Sequence, residues 1–236
     1  MTPPTHPRQP SEEIERLEAE LALLARCVSH DLRQPLHVVS GYVELVAFKY
    51  KDVLDPKGHL LVSKALAGVE RMNTMIDGVV GLLRVDSAAP WSDQIDTNTL
   101  VDGVLAGLRP EAAPLGAVLE RKDLPPVAGQ PALLGQVFEQ LLRNVLRFPG
   151  EGAPSGLVVA RPGPDHVRFE VRDHGDGIDP RLHASIFEPF GRGQDPRAGT
   201  GMGLAICRKV IQLHHGDLGV DSERGRGSTF RFTLPA

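Results

Sequence analysis

The sequence predicts an α+β protein, in which an antiparallel helical hairpin precedes a domain of helices layered on a β-sheet. Two observations lead to this fold class. Over residues 11–86, apolar side chains recur at alternating spacings of three and four, which is the pattern of a buried helix face. Over residues 96–236, helical segments alternate with short runs in which every second residue is apolar, as in strands with one buried face.

Length and composition exclude several classes of protein. The 236 residues suffice for one large domain or two small ones. The formal net charge of −4, with acidic and basic residues mixed along the chain, predicts no surface for nucleic acid. No apolar run reaches the ~18 residues that span a bilayer, and two cysteines are too few for a disulfide framework. We therefore expect a cytoplasmic protein that has no membrane span and binds no nucleic acid.

The hairpin is predicted from two apolar stripes. Residues 1–10 contain four prolines and are expected to form a disordered leader. A long helix kinked at Pro35, a turn at residues 55–58 and a second helix then make up the hairpin, which covers residues 11–86. The first stripe comprises Ile14, Leu17, Leu21, Leu24, Val28, Leu32, Pro35, Val39 and Val43, and the second comprises Leu61, Ala65, Val69, Met72, Ile76, Val79 and Leu83. One hairpin cannot bury both stripes, so we expect a homodimer that forms a four-helix bundle.

The second domain is predicted over residues 96–236, after a linker at residues 87–95. Its helices and strands are predicted from the spacing of apolar residues, which is three or four residues in a helix and two in a strand. Helices are expected over 97–109, 130–148 and 201–214, and strands over 156–161, 166–173, 216–222 and 228–234. This order predicts a layer of helices packed on a sheet.

His30 lies on the side of the first helix opposite to the apolar stripe. At 100° per residue it falls about 200° from Val28, so its imidazole is expected to face solvent. Asp31 follows it directly, and Gln34 lies on the same face one turn later. An exposed imidazole beside a carboxylate is a candidate nucleophile with its orienting base, although most exposed histidines on helices have no chemical role.

Three glycine-rich segments in the second domain are candidate phosphate-binding loops. They are DHGDGI at 173–178, GTGMGLAI at 199–206 and GRGSTF at 225–230. A glycine backbone can approach a phosphate closely, and a helix N-terminus favours an anion. None of the three has the spacing of a Walker loop or of a dinucleotide-binding fingerprint. Each segment alone is better explained by a turn, but the three segments in this order favour a ligand site.

Polar side chains near these segments complete a candidate nucleotide site. The carboxylate of Asp173 could accept a hydrogen bond from the exocyclic amine of a base. Asn144 offers an oxygen to a hard cation such as Mg²⁺. Arg192 and Arg197 lie between the first two glycine segments, where they could contact phosphates.

Five motifs in this order resemble those of bacterial sensor histidine kinases of two-component systems. They are SHDLRQPL (29–36, the H-box), QVFEQLLRNVLRF (136–148, the N-box), DHGDGI (the first glycine box), IFEPF (186–190, the F-box) and GTGMGLAI (the second glycine box). The resemblance covers roughly residues 11–236. It implies a dimerisation and phosphotransfer hairpin followed by an α/β sandwich of the Bergerat ATP-binding type. The implied reaction is autophosphorylation by ATP, followed by transfer to an aspartate in the receiver domain of a separate response regulator.

The resemblance also implies roles for individual residues. His30 would be the phospho-acceptor and Asp31 the base that orients it, while Gln34 occupies the position used in the phosphatase reaction of relatives. The implied nucleotide contacts are Asn144, Arg147, Asp173, Gly175, Gly177, Arg192, Gly199, Thr200, Gly201 and Gly203, and the implied Mg²⁺ ligands are Asn144 and Gln140.

Two departures from the family pattern leave alternatives open. Gln140 replaces the first of the two asparagines usual in the N-box, and Arg143 occupies a position that is often acidic or small. A phosphotransfer or scaffold protein with a degenerate ATP domain would fit both departures. A GHKL-type ATPase clamp shares the ATP fold but would not need SHDLRQPL on an exposed helix face. Because little sequence precedes the H-box, we expect the input signal to arrive through the short coiled coil at residues 11–28 or from a partner such as an upstream sensor protein.

Overall fold

The computed structural model describes residues 10–84, 91–191, 197 and 199–235, with side chains described from residue 29 and, in the first range, as far as residue 81. Contacts divide the chain into two compact units after Arg84. The predicted leader lies almost wholly outside the described residues. Within the described part of the chain, none of the helices combines the length and the apolar character needed to cross a membrane.

The first unit is a hairpin of two long helices, α1 (Pro10–Lys49) and α2 (Pro56–Arg84). The sequence places the turn at 55–58, but the structure starts α2 at Pro56 and turns earlier, at residues 50–55. The reason is local chemistry. The Asp55 carboxylate accepts a hydrogen bond from the Gly58 amide at 2.6 Å, and a proline in the first turn of a helix lacks only an amide that would have no helical partner.

The two helices meet along one stripe and leave a second stripe exposed. The less exposed side chains follow a heptad spacing, with Ser29, Leu36, Ser40, Val43 and Ala47 on α1 and Val62, Leu66, Val69, Asn73, Ile76 and Val80 on α2. Much of the predicted stripe, including Leu32, Val39 and Met72, is instead exposed, and the neighbouring Tyr42 is 69% exposed. Where its side chains are described, each helix thus carries two adjacent apolar stripes, and its partner within the chain covers one of them.

Within its described residues, the second unit contains three α-helices and seven strands. The helices are α3 (Thr97–Ala112), α4 (Pro131–Arg147) and α5 (Gly203–Leu213), and the strands are β1 (Ser92–Ile95), β2 (Val118–Arg121), β3 (Val127–Gly129), β4 (Ser155–Pro162), β5 (His166–Asp173), β6 (Leu218–Ser222) and β7 (Ser228–Pro235). Five strands form one sheet in the order β2-β4-β5-β7-β6, antiparallel except for the parallel pair β2–β4. This is the α+β class that the sequence predicts.

The core of the second unit lies between the sheet and the helices. Alternate residues of the central strands point inward and are buried, among them Val158, Val171 and Phe230. The ring of Phe138 on α4 packs edge-on against the rings of Phe169 and Phe232, with centroids 5.6 and 5.4 Å apart. The buried apolar face of α4 therefore fixes the direction of its opposite face, which carries the N-box polar residues.

Two short strands outside the main sheet were not predicted. Residues 92–95, which the sequence analysis assigns to the end of a linker, form β1 and pair with β3. Next to this pair, the ring of Trp91 stacks on that of His214 at 5.1 Å. His214 is fully buried, and its Nε2 accepts a hydrogen bond from the Gln130 amide at 2.9 Å. Burial lowers the pKa of His214, so the neutral imidazole serves as a structural acceptor.

Candidate functional site

His30 is exposed on α1, as the helix periodicity predicts. Its side chain is 72% exposed, and its Nδ1 lies 3.4 Å from the Asp31 carboxylate. A carboxylate beside Nδ1 favours the tautomer that carries its proton there, which leaves the lone pair on Nε2. Gln34 is exposed one turn further along the helix. The three side chains that the sequence analysis assigns to phosphotransfer chemistry thus share one accessible region of the hairpin.

A cavity of about 790 Å³ opens beside this histidine. Both helices of the hairpin contribute to its lining, which consists of His30, Arg33, Gln34, Pro35, His37, Val38, Asn73 and Asp77. An ion pair joins the guanidinium of Arg33 on α1 to the carboxylate of Asp77 on α2. Charged side chains from both helices therefore line the cavity that His30 shares.

In the second unit, α4 presents three predicted site residues on one face. Gln140, Asn144 and Arg147 are spaced by four and three residues, so they follow one another along the helix. The Gln140 amide donates a hydrogen bond to Asn144 Oδ1 at 3.3 Å. Two half-buried amide groups therefore lie side by side, and both carry oxygens of the kind that Mg²⁺ accepts as ligands.

The second glycine box lies against this face of α4. A Cβ atom at Gly203 would overlap the side-chain amide of Gln140, and one at Gly199 would lie 2.7 Å from Nη1 of Arg147. Only glycine at position 203 allows the start of α5 to approach Gln140 so closely. Thr200 and Gly201 lie between these two contacts, where the chain turns toward α5. The structure therefore brings the N-box and the second glycine box together.

Asp173 ends β5 and is held by backbone amides. Its Oδ1 accepts hydrogen bonds from the amides of Gly175 at 2.8 Å and Ser228 at 3.0 Å. Burial raises the pKa of this carboxyl, which the two amide hydrogen bonds oppose. Both bonds are made to the same oxygen, so Oδ2 is the atom left to a ligand.

The third glycine-rich segment supports Asp173 rather than forming a separate loop. Gly227 has φ +81°, and a Cβ atom there would overlap the Asp173 carbonyl. The turn between β6 and β7 can therefore approach Asp173 and deliver the Ser228 amide. In the first glycine box, Gly177 lies in the same way against the backbone of Glu223. The sequence showed the glycines but not this supporting role, because the contact joins residues far apart in the chain.

The predicted arginines have different surroundings. Arg197 pairs with Asp176 of the first glycine box at 2.7 Å, and its guanidinium lies over the ring of Phe148 at 5.5 Å. Neither Asp176 nor Phe148 was singled out from the sequence. Arg192 lies outside the described residues. Arg143 pairs with Glu111 and Glu139, at 3.0 and 3.1 Å.

Comparison with known proteins adds two family matches. Residues 20–88 match the His Kinase A (phospho-acceptor) domain. Residues 129–236 match the histidine kinase-, DNA gyrase B- and HSP90-like ATPase family. The first match contains His30 and its cavity, and the second contains the N-box face, both glycine boxes and Asp173.

Relatives and solved structures agree with these matches. Cyanobacterial phytochrome A of Nostoc sp. is 39% identical over 96% of this chain and 30% of its own length, and the phytochrome-like protein Cph1 of Synechocystis sp. is 37% identical over 96% and 31%. The chain thus spans about a third of the length of these relatives. The crystal structure of full-length ShkA in complex with AMPPNP is similar over 90% of this chain and 45% of that chain, with a TM-score of 0.65 and 26% identity.

The mycobacterial sensor histidine kinase MprB is similar over 63% of this chain and 97% of its own, with a TM-score of 0.54 and 25% identity. The fold, the order of the motifs and both family matches lead to one assignment. The chain belongs to the sensor histidine kinases of two-component systems.

Proposed function

We propose that this chain is an ATP-dependent protein-histidine kinase that phosphorylates its own His30. One observation carries the proposal: the His30 side chain is exposed and has the Asp31 carboxylate beside its Nδ1. The Nε2 lone pair attacks the γ-phosphorus of ATP, and an N–P bond forms as the bond to the β–γ bridging oxygen breaks. ADP leaves with that electron pair. Asp31 stabilises the positive charge that develops on the imidazole.

ATP would be held by the residues that the second unit brings together. Asp173 Oδ2 would accept a hydrogen bond from the adenine amino group. Arg147, the glycine boxes and the arginines between those boxes would contact the phosphates. The proposed nucleotide contacts are Asn144, Arg147, Asp173, Gly175, Gly177, Arg192, Arg197, Gly199, Thr200, Gly201 and Gly203. Support comes from the two backbone hydrogen bonds to Asp173, because both go to Oδ1 and leave Oδ2 to a ligand.

Mg²⁺ would be held by the amide oxygens of Asn144 and Gln140 together with phosphate oxygens. When bound, the ion neutralises charge on the triphosphate. The donor chemistry fits, because both side chains offer neutral oxygens one turn apart on α4. In the described ranges no group of three or more His, Cys, Asp or Glu side chains forms an alternative metal site.

The proposed assembly is a homodimer that works with a receiver domain. The exposed apolar stripes of α1 and α2 support pairing of two hairpins, with residues 11–86 as the dimerisation unit and residues 96–236 as the ATP-binding unit. An aspartate carboxylate of a response regulator would attack the phosphorus of phosphorylated His30, and the electrons of the broken N–P bond would return to Nε2. Gln34 would orient water for dephosphorylation of the regulator. An upstream sensor would supply the signal in the cytoplasm.

Incubation with labelled ATP and Mg²⁺ tests the kinase proposal. We expect an acid-labile, alkali-stable phosphoryl adduct on the full chain. His30→Ala should lose it, whereas His37→Ala, on the same face of α1, should keep it. Equal labelling of wild type and His30→Ala would mean that His30 is not the acceptor.

One observation favours the scaffold alternative. Gln140 donates to Asn144 Oδ1, an oxygen that a metal would need. Titration with AMPPNP and Mg²⁺ separates the two functions, because a scaffold with a degenerate site would show no saturable binding. Arg143, the other departure, does not argue for degeneracy, because its guanidinium pairs with carboxylates of α3 and α4.

A further inference from the structure

The cavity beside His30 contains a charged pair to which the reaction above assigns no role. Arg33 follows His30 by three residues, so the two side chains are neighbours on α1, with Cβ atoms about 5–6 Å apart. Asp77 reaches the same cavity from α2 and pairs with Arg33. A guanidinium and a carboxylate from different helices thus meet next to the reactive imidazole.

The charges in this cavity are unfavourable for a phosphorylated histidine unless a cation intervenes. A phosphoryl group carries a charge of about −2 at neutral pH. Two carboxylates, Asp31 and Asp77, lie next to His30 or line its cavity. Arg33 is the guanidinium in the described lining, and it contacts Asp77 through Nη2. A guanidinium has five N–H donors, so the remaining ones can bind phosphoryl oxygens while the pair persists.

We propose that Arg33 binds the phosphoryl group on His30 and that Asp77 is the positioning residue that holds the guanidinium at the cavity. The inference rests on the proposed phosphorylation of His30. The pair itself contributes little to stability, because its side chains are 47% and 63% exposed and exposed ion pairs are worth about 0–1 kcal/mol. The pair acts instead by holding the Arg33 guanidinium, with its positive charge, at the cavity.

The initial rate of autophosphorylation of the full chain, measured over a series of ATP concentrations, forms the first arm of the test. Arg33→Gln should lower the maximal rate constant by about tenfold or more and leave the ATP concentration for half-maximal rate unchanged, because the lost guanidinium contacts the phosphoryl group only as it reaches His30. Arg33→Lys keeps the charge without the planar fork and should be intermediate. Asp77→Asn should lower the rate constant less than Arg33→Gln does, and Asp77→Glu should keep it near the wild-type value.

A charge-exchanged double variant distinguishes this role from a merely structural one. Arg33→Asp combined with Asp77→Arg rebuilds an ion pair between α1 and α2 but puts a carboxylate next to His30. We expect the melting temperature of the hairpin to match wild type while autophosphorylation stays low. Recovery of the wild-type rate in this variant would overturn the proposal.

Phosphoramidate, a small phosphoryl donor, provides a second arm that needs no ATP-binding unit. With His30 phosphorylated in this way, the side-chain Nε–Hε resonance of Arg33 should shift, and the His30→Ala chain treated alike should show no shift. An unmoved Arg33 resonance beside a clear phosphohistidine ³¹P signal would contradict the inference. Labelling by phosphoramidate but not by ATP would reject the proposed kinase activity. The shift of the Arg33 resonance would then decide the role of Arg33 by itself. A chain that neither donor phosphorylates at His30 would overturn both.

Discussion

The carboxyl group of Asp173 is fixed by two backbone amides, yet burial raises its pKa above the usual value. A carboxyl group with a raised pKa binds its proton more tightly in the folded chain than in the unfolded one. Its contribution to stability is therefore full at pH values below the pKa of the unfolded chain and is lost as the pH rises through the raised, folded-state pKa. Ionising this carboxyl in its buried position therefore lowers the stability of the fold, and perturbed groups of this kind are typical of binding sites.

Replacement of Asp173 by asparagine should therefore separate binding from stability. Asn keeps an acceptor for the two backbone amides, but it directs an N–H group toward the adenine amine. We expect the affinity for AMPPNP at pH 7.5 to fall by about tenfold or more in titration calorimetry. The melting temperature should be unchanged or higher, because no buried charge remains. Asp165→Asn, in the exposed turn before β5, is the control and should change neither quantity. A large fall in melting temperature would show that Asp173 acts mainly as a structural residue.

Among individual residues, the sequence identified those whose chemistry is local. His30 was predicted to be exposed from its angle on one helix, and Asp173 and the glycines were identified from their spacing. The partners of these residues were not predictable, because they come from distant segments. The Ser228 amide reaches Asp173 only through the β6–β7 turn, and Asp77 reaches Arg33 only once α2 folds back on α1.

At the scale of elements, periodicity predicted the helices better than their contacts. Both long helices were found, but Val39 was assigned to the buried stripe and is exposed, whereas Leu36 and Ser40 lie in the seam. Two adjacent apolar stripes have the same period, so the sequence cannot show which one faces the partner within the chain. The short strands β1, β2 and β3 were missed, because three or four residues give no measurable alternation and such strands form only against their partners.

The contact between α4 and the start of α5 allows a test of whether Gln140 contributes to nucleotide binding. Gly203→Ala places a methyl group where the Gln140 amide lies. The flexible amide can move aside, so we expect little change in melting temperature but weaker binding of AMPPNP with Mg²⁺, by about tenfold. Gly107→Ala on α3 is the matched control, since a Cβ atom there meets nothing within 4 Å. It should stabilise the protein slightly, by about 0.5–1 kcal/mol, and leave binding unchanged. Equal affinity of Gly203→Ala and wild type would argue against a role for Gln140.

At the scale of the whole molecule, contacts divide the chain into two units, and we expect the stabilities of the two units to depend on different conditions. A hairpin that buries its second stripe only by pairing should melt at a temperature that rises with protein concentration. The second unit should instead respond to nucleotide, with a stabilisation of about 2.7 kcal/mol at a ligand concentration of 100 Kd.

Differential scanning calorimetry of the full chain should therefore show two transitions. Tenfold dilution should lower only the hairpin transition, and AMPPNP with Mg²⁺ should raise only the other. In Asp173→Asn the nucleotide shift should be lost while the dependence on dilution remains. A single transition that responds to both changes would show that the two units unfold as one.

The stacking of Trp91 on His214 gives the protein a built-in optical probe. Trp91 is the only tryptophan in the chain, and its ring lies against a buried imidazole at the edge of the second unit. Indole emission is sensitive to an adjacent imidazole and to exposure to water. The intrinsic fluorescence of the unlabelled protein should therefore report loosening of β1 and of the end of α5, and should not respond to melting of the hairpin alone.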